Sequence, residues 1–227
     1  MIYENISKGI FLKRPNRFIA HVDLGNGPEI CHVKNTGRCA ELLIPGVTVF
    51  VSKSSNPARK TKYDLISVYK GNRLINIDSQ APNKIVWEWI AKDGFLPGIT
   101  LLKPEFTIGN SRFDFYAQSA GKKIIIEVKG VTLENNNIVS FPDAPTERGT
   151  KHMNELSRLA SEGFCAYVIF VVQMNGVRCF MPNRIIDPVF SEALINAEKS
   201  GVSVMAIDCR VTDNSVTAGN ELPVVLH

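Results

Sequence analysis

The chain has 227 residues, 44% of them hydrophobic and 21% charged, which suffices for one large domain or two small ones. No apolar run approaches the roughly 20 residues that cross a bilayer, and Met1-Ile2-Tyr3-Glu4-Asn5 lacks the basic stretch and apolar core of a secretion signal. A cytoplasmic chain with no membrane partner is expected. The net charge of +4 is a weak pointer to nucleic acid, and the five cysteines, odd in number and never in Cys-x-x-Cys, suggest neither a disulfide framework nor a zinc site.

Residues 1–81 carry short alternating segments broken by turn residues. Strands are predicted at 17–24, 29–33, 47–53, 64–70 and 73–78, with one helical turn at 39–43. About five strands and a short helix in eighty residues is the content of an OB-like small barrel. Nearly half of the positive charge lies here, twelve of 26 lysines and arginines, ten of them being Lys8, Lys13, Arg14, Arg17, Lys34, Arg38, Lys53, Arg59, Lys60 and Lys62. Such a face attracts phosphates through counterion release, although it also suits a merely soluble surface. His32, Asn35, Thr36, Gly37 and Arg38 form a polar loop, in which Arg38 either grips a phosphate bidentately or bonds loop carbonyls.

A boundary is predicted at Gln80-Ala81-Pro82. From Asn83 the period changes to helical, with Ile85, Val86, Trp89 and Ile90 on one stripe and Gly94 as the stop; Trp87 and Trp89 are read as packing residues. Strands holding Phe106, Asp114 and Glu127 follow, then a helix at 146–161, strands at 166–172 and 177–181, a helix at 188–199 and a strand at 202–207. This is an α/β unit with a mixed sheet flanked by helices, in the order of the restriction-endonuclease-like core. The expected division is 1–81 for the barrel and 82–227 for the nuclease-like domain.

Within the second unit, Arg112-Phe113-Asp114-Phe115 and Ile124-Ile125-Ile126-Glu127-Val128-Lys129 are separated by a turn at Ala120-Gly121-Lys122, so the two strands should form a hairpin. Side chains alternate along a strand, which puts Glu127 and Lys129 on one face and Ile126 and Val128 on the other. Asp114 and Glu127 then converge, and two carboxylates can hold Mg²⁺ or Mn²⁺ through oxygen. Lys129 is placed to help an attacking water or to stabilise phosphoryl charge. The same residues also fit a solvated sheet face with a cross-strand ion pair. Against that, the flanking residues are apolar on both faces, where a charged cluster is expensive without a ligand.

The chain resembles the sugar fermentation stimulation protein A family nearly end to end. The resemblance is carried by Asn35-Thr36-Gly37-Arg38 with Glu41-Leu42-Leu43 and Pro45-Gly46; by Arg59-Lys60-Thr61-Lys62-Tyr63; by Asn110-Ser111-Arg112-Phe113-Asp114; by Glu127-Val128-Lys129; and by the long run from Phe141-Pro142-Asp143 to His152, with Glu155-Leu156. Pro145 stands where an apolar residue is expected. The resemblance implies an OB-like domain, a second domain related to PD-(D/E)xK nucleases, DNA binding and a link to maltose metabolism. It implies Asp114 and Glu127 as metal ligands with the Val128 carbonyl as a possible third, Lys129 as electrostatic helper, and an acid from the first helix, Glu88, with Glu105 as its substitute. Thr146 is read as the N-cap of a helix whose first N–H groups suit a phosphate. Arg148, Lys151, His152 and Glu155 fall on one polar stripe, where Arg148 and Lys151 would contact phosphate and His152 or Glu155 would lie near the metal water. Gln173 is read as the far wall of the cleft. Three functions follow: a metal-dependent nuclease acting on DNA, with RNA also possible; a DNA-binding regulator that no longer cuts; or a domain serving a phosphorylated small molecule or a protein partner. The paired acids with their lysine favour the first over the second, and the lack of a Gly-rich phosphate loop weighs against the third.

Overall fold

Alternation is weakest in the strand that opens the chain. Residues Ile6–Asn16 (β1) contain Gly9 and Pro15 and expose Ile10, so the segment carries no clean pattern, yet it forms an eleven-residue strand not predicted above. Gly9 is required there, because a Cβ would come 2.6 Å from Val22 Cγ1 and 2.7 Å from Leu24 Cδ2. The structure, a computed structural model, describes residues 1–35, 37–92 and 95–227. The expectations for Thr36 and for Gly94 as a helix stop lie outside the described residues.

β1 pairs with Ile19–Asp23 (β2) and with Thr48–Lys53 (β4). Pro28–Val33 (β3), Tyr63–Lys70 (β5) and Arg73–Asn76 (β6) complete the order β3-β2-β1-β4-β5-β6, and a parallel β3–β5 pairing closes five of the strands into a barrel. Phe11, Val22, Cys31, Val49, Val51, Leu65 and Val68 fill it, each large side chain contributing about 1.5–3 kcal/mol through burial. The segment read as a helical turn closes a Leu43 N–H bond to the Cys39 carbonyl and buries Leu42 and Leu43 in the same core.

Ala81–Ala91 (α1) begins with Pro82 in its first turn, where the missing N–H is harmless. The elements that follow are Ile99–Ile108 (β7), Ser111–Ser119 (β8), Lys122–Val131 (β9), Leu133–Asn135 (β10), Ile138–Phe141 (β11), Glu147–Ser161 (α2), Cys165–Val172 (β12), Cys179–Pro182 (β13), Pro188–Lys199 (α3), Ser203–Val211 (β14) and Val216–Leu222 (β15). They build a six-stranded mixed sheet ordered β15-β14-β12-β9-β8-β7, in which β9, β12 and β14 run parallel. The central strand β12 is covered on both faces, which is why Cys165–Val172 reads as a near-continuous apolar run. One face packs against α1 through Ile85, Val86 and Ile90; the other packs against α2 through Met153, Leu156 and Leu159. The predicted hairpin is β8–β9, turned at Ala120 and Gly121, whose φ values of 49° and 75° fit a two-residue primed turn. The architecture is an OB-like barrel followed by a restriction-endonuclease-like sheet. The strand expected at 177–181 is β13, but it pairs with β11 in a separate small sheet, β10-β11-β13, rather than in the main one; β10, β11 and the edge strand β15 were not predicted.

Buried polar groups join the two halves. Gln173, just past β12, lines a pocket with Gly130, Thr132 and Asp143 and also bridges the halves: its side-chain amide donates to Asn76 Oδ1 (2.8 Å) and to the Asp78 carbonyl (3.0 Å), while its backbone carbonyl accepts from Asn76 N–H (2.9 Å). Lys70 and Arg73 of the barrel both pair with Glu134 on β10. Among the described residues no helix is long and apolar enough to cross a membrane.

Candidate active site

The β8–β9 ladder runs from Ser119↔Lys122 to Phe115↔Ile126 and stops there. Just past the last pair, Asp114 turns its carboxylate across the gap. Its Oδ2 accepts the Val128 N–H at 2.7 Å and its Oδ1 accepts Asn83 Nδ2, from the first turn of α1, at 2.7 Å. A side chain thus takes over a backbone bond where the strands separate, and the carboxylate is fixed in place.

Glu127 lies on β9 and is 3% exposed. Its Oε1 accepts from Lys129 Nζ at 2.5 Å and meets His152 Nδ1 in a very short contact. Its Oε2 is buried with no hydrogen-bond partner. Buried carboxylate oxygens are seldom left unpaired, because desolvation without a partner costs about 1–3 kcal/mol or more. The two acids respond differently to this setting. Burial, then the Glu127 charge, raises the Asp114 pKa from its ordinary value, against the pull of the Val128 N–H, Asn83 and Lys129. For Glu127, burial also pushes upward, but the His152 hydrogen bond and the Lys129 ammonium outweigh it and hold the carboxyl low.

The predicted α2 stripe divides. Arg148 and Lys151 are exposed, and Lys151 Nζ donates to the Asn110 carbonyl. Glu155 pairs with Arg158. His152 is not on the polar side: it is 4% exposed, lies on the buried face with Gly149, Met153, Leu156 and Leu159, and reaches Glu127. Its spacing of three from Gly149 and four from Leu156 is the signal that places it there. Thr146 caps the helix, its hydroxyl accepting from Gly149 N–H at 3.0 Å. Asp187 sits at that end and accepts the Thr146 N–H, so a carboxylate already stands beside the helix's first N–H groups.

Glu88 and Glu105 both line a groove of about 690 Å³ with Asp114, Asn83, Lys84, Trp87, Pro104 and Phe115. Glu88 also accepts from the Met1 amino group at 2.6 Å, and Glu105 is exposed with Arg112 3.9 Å away. Among the described residues no three His, Cys, Asp or Glu side chains form a metal-ligating cluster.

In the barrel the cations fall into two groups. Arg14 donates to the carbonyls of Arg17, Asn35, Gly37 and Arg38, so the loop-binding role weighed for Arg38 belongs to Arg14. Arg59 is bidentate on Asp64, at 2.6 and 3.0 Å, and Lys34 lies 3.4 Å from the same acid. Arg17, Arg38, Lys53, Lys60 and Lys62 remain exposed, with Arg17 lying 4.7 Å over the Phe18 ring.

The family model described as the sugar fermentation stimulation protein RE domain matches residues 80–215, and the SfsA N-terminal OB domain matches residues 12–77. The chain belongs to the sugar fermentation stimulation protein family. A family member from Ruminiclostridium cellulolyticum, named sugar fermentation stimulation protein homolog, is 56% identical over 226 residues, covering 100% of both chains. A homolog of the same name from Clostridium tetani is 49% identical over 229 residues, again covering 100% of both. The solved structure of Pyrococcus furiosus SfsA in complex with Ca²⁺ superposes with a TM-score of 0.87 at 28% identity, over 99% of this chain and 98% of that one.

Proposed function

We propose that this chain binds DNA through its exposed barrel cations and hydrolyses phosphodiester bonds at Asp114, Glu127 and Lys129 with Mg²⁺ or Mn²⁺. The observation that carries the reading is Glu127 Oε2, a buried carboxylate oxygen without a partner, next to a second carboxylate whose pKa it raises. A structural ion pair has no use for that oxygen, whereas a divalent cation does. The donor set fits a hard ion: Mg²⁺ commonly takes one or two carboxylates and completes its shell with water and phosphate oxygens. Two carboxylates and the Val128 carbonyl meet that need without a third acid. The Ca²⁺ of the Pyrococcus furiosus relative is consistent with oxygen donors in this fold.

A bound ion would supply Lewis-acid polarisation and a more acidic water. The chain's own side chains do the rest. Asn83 and the Val128 N–H orient Asp114. His152 engages Glu127 Oε1 and leaves Oε2 as the free oxygen. Lys129 supplies positive charge where phosphoryl charge develops. The relatives' name refers to sugar fermentation, and maltose metabolism, which the family resemblance implies, is the setting proposed for the activity.

A DNA-binding regulator that does not cut is the second reading. It is favoured by the Lys129 and His152 partners, which already offset the Glu127 charge. Labelled single-stranded DNA, duplex DNA and RNA incubated with Mn²⁺, beside an Asp114→Ala control, separate the two. Cutting that disappears in the control supports the nuclease; DNA binding without cutting in the wild type supports the regulator.

A further inference from the structure

The groove beside Asp114 has chemistry that metal ligation does not use. One wall is a single face of α1: Asn83, Lys84, Trp87 and Glu88, spaced i, i+1, i+4 and i+5. The other wall comes from β7 and β8 through Pro104, Glu105, Asp114 and Phe115. Its volume of about 690 Å³ lies within the range of roughly 300–1,000 Å³ usual for small-ligand sites. Trp87, expected to be a packing residue, is 38% exposed in this groove. Its neighbour Trp89 is the packed one, stacked on Phe95 at 4.8 Å. The Trp87 indole rests on Phe115 at 6.0 Å and 41°, which fixes the ring while leaving part of it open.

We propose that this groove is a stacking pocket for one unpaired nucleobase, so that single-stranded or locally opened nucleic acid is the substrate of the neighbouring carboxylates. The proposal takes its position from the phosphodiesterase reading and names the substrate class of that site. Three considerations select the occupant. An open indole face suits a planar heterocycle, and stacking a base on an aromatic side chain contributes about 1–3 kcal/mol. Glu88 is already paired with the Met1 amino group, while Glu105, with Arg112 no nearer than 3.9 Å, and Asp114 face the groove; these two carboxylates disfavour a phosphate in the groove itself, yet they accept hydrogen bonds from exocyclic amines. The heterocycle therefore enters, and the phosphate stays at the Asp114 end. A paired base has already committed both its faces and its amine, so only an extruded or unpaired base fits. Bases with an exocyclic amine, such as adenine and cytosine, are preferred over thymine.

The test uses the full chain in EDTA, with tryptophan fluorescence read against oligodeoxyadenylate, oligothymidylate and a blunt duplex. The oligodeoxyadenylate quenches the wild type more strongly than oligothymidylate. Trp87→Leu abolishes the quench and weakens single-strand binding about tenfold, Trp87→Phe keeps most of the affinity, and duplex binding is the same in all three proteins. Single-strand affinity unchanged in Trp87→Leu, or no quench by any single strand, overturns the proposal. Without metal these readouts are independent of cutting. A Trp87-dependent quench in a protein that never cuts with Mn²⁺ defeats the nuclease and leaves the pocket. Cutting by a Trp87→Leu protein of undiminished single-strand affinity defeats the pocket and leaves the nuclease.

Discussion

Asp64 in the barrel and Glu127 in the sheet are both buried carboxylates flanked by cations, and both are held below the usual pKa range although burial pushes them up. Their oxygens meet different surroundings. Asp64 has Arg59 on both oxygens, with Lys34 and His32 close by. Glu127 has its two partners on one oxygen and none on the other, and a second carboxylate is near enough to feel its charge. The barrel cluster is complete as it stands. The sheet cluster is satisfied only if something else binds, and that difference separates a structural ion network from a site.

The largest effect that tests this contrast is catalytic. Lys129→Ala should lower Mn²⁺-dependent cleavage by about 10²–10³, the usual loss when one preorganised stabiliser of developing charge is removed, while metal binding persists. If cleavage in Lys129→Ala matches the wild type, the lysine only neutralises Glu127 and the two clusters are alike.

Next in size is stability in the barrel. Asp64→Asn leaves Arg59 without its counter-charge, while Lys34 keeps Asp78 at 3.1 Å, and should cost about 3 kcal/mol, lowering the melting temperature by roughly 6–12 °C, with no change in metal response. The pH dependence has a definite sign. The folded pKa of Asp64 is depressed, so its contribution is present above the unfolded value and is lost as pH falls through the folded one. Wild type and variant should converge in acid. A variant as stable as the wild type at neutral pH would mean that the Asp64 network contributes nothing.

How far these clusters are legible in sequence follows from how local their causes are. The hairpin, its turn and the α2 cap rest on neighbours: Ala120-Gly121 bends the chain, and Thr146 lies three residues before the N–H it accepts. The acids and Lys129 are visible because strand period alone places them. His152 at Glu127 is half visible, since helical spacing puts it on the buried face but only the docking of α2 on the sheet brings it to that oxygen. The orphaned oxygen, three of the four Arg14 carbonyl contacts and the Gln173 bridge between the halves depend on approaches across 20 to 100 residues and leave no local pattern. β1 escapes notice because Gly9 replaces a buried side chain with close backbone packing.

Nucleic-acid binding should divide the barrel cations as their contacts do. Replacing exposed Arg17, Arg38, Lys60 and Lys62 together with alanine should weaken binding about tenfold or more and flatten its salt dependence, with the fold intact. Arg14→Ala should instead loosen the loop carbonyls it holds, an effect seen first as a lower melting temperature. Equal binding by the fourfold variant and the wild type at low salt would remove the barrel from the DNA-binding surface.

The smallest effects concern Asp114, and their sign is opposite to that of Asp64. Its folded pKa is raised, so ionisation opposes folding, and stability falls as pH rises through the unfolded value toward the folded one. Asp114→Asn keeps an acceptor for the Val128 N–H and removes the repulsion with Glu127. It should melt above the metal-free wild type at neutral pH, with the gain vanishing in acid where Asp114 is protonated in both states. In the wild type, Mn²⁺ at ten times its Kd should add about 1.4 kcal/mol, a shift of roughly 3–6 °C. That shift should be absent in both Asp114→Asn and Glu127→Gln. If the wild type ignores Mn²⁺ and Asp114→Asn melts higher at every pH above the carboxylate range, the acids are a frustrated structural cluster. The DNA-binding regulator then becomes the better account, because the orphaned Glu127 oxygen would have no ligand to explain it.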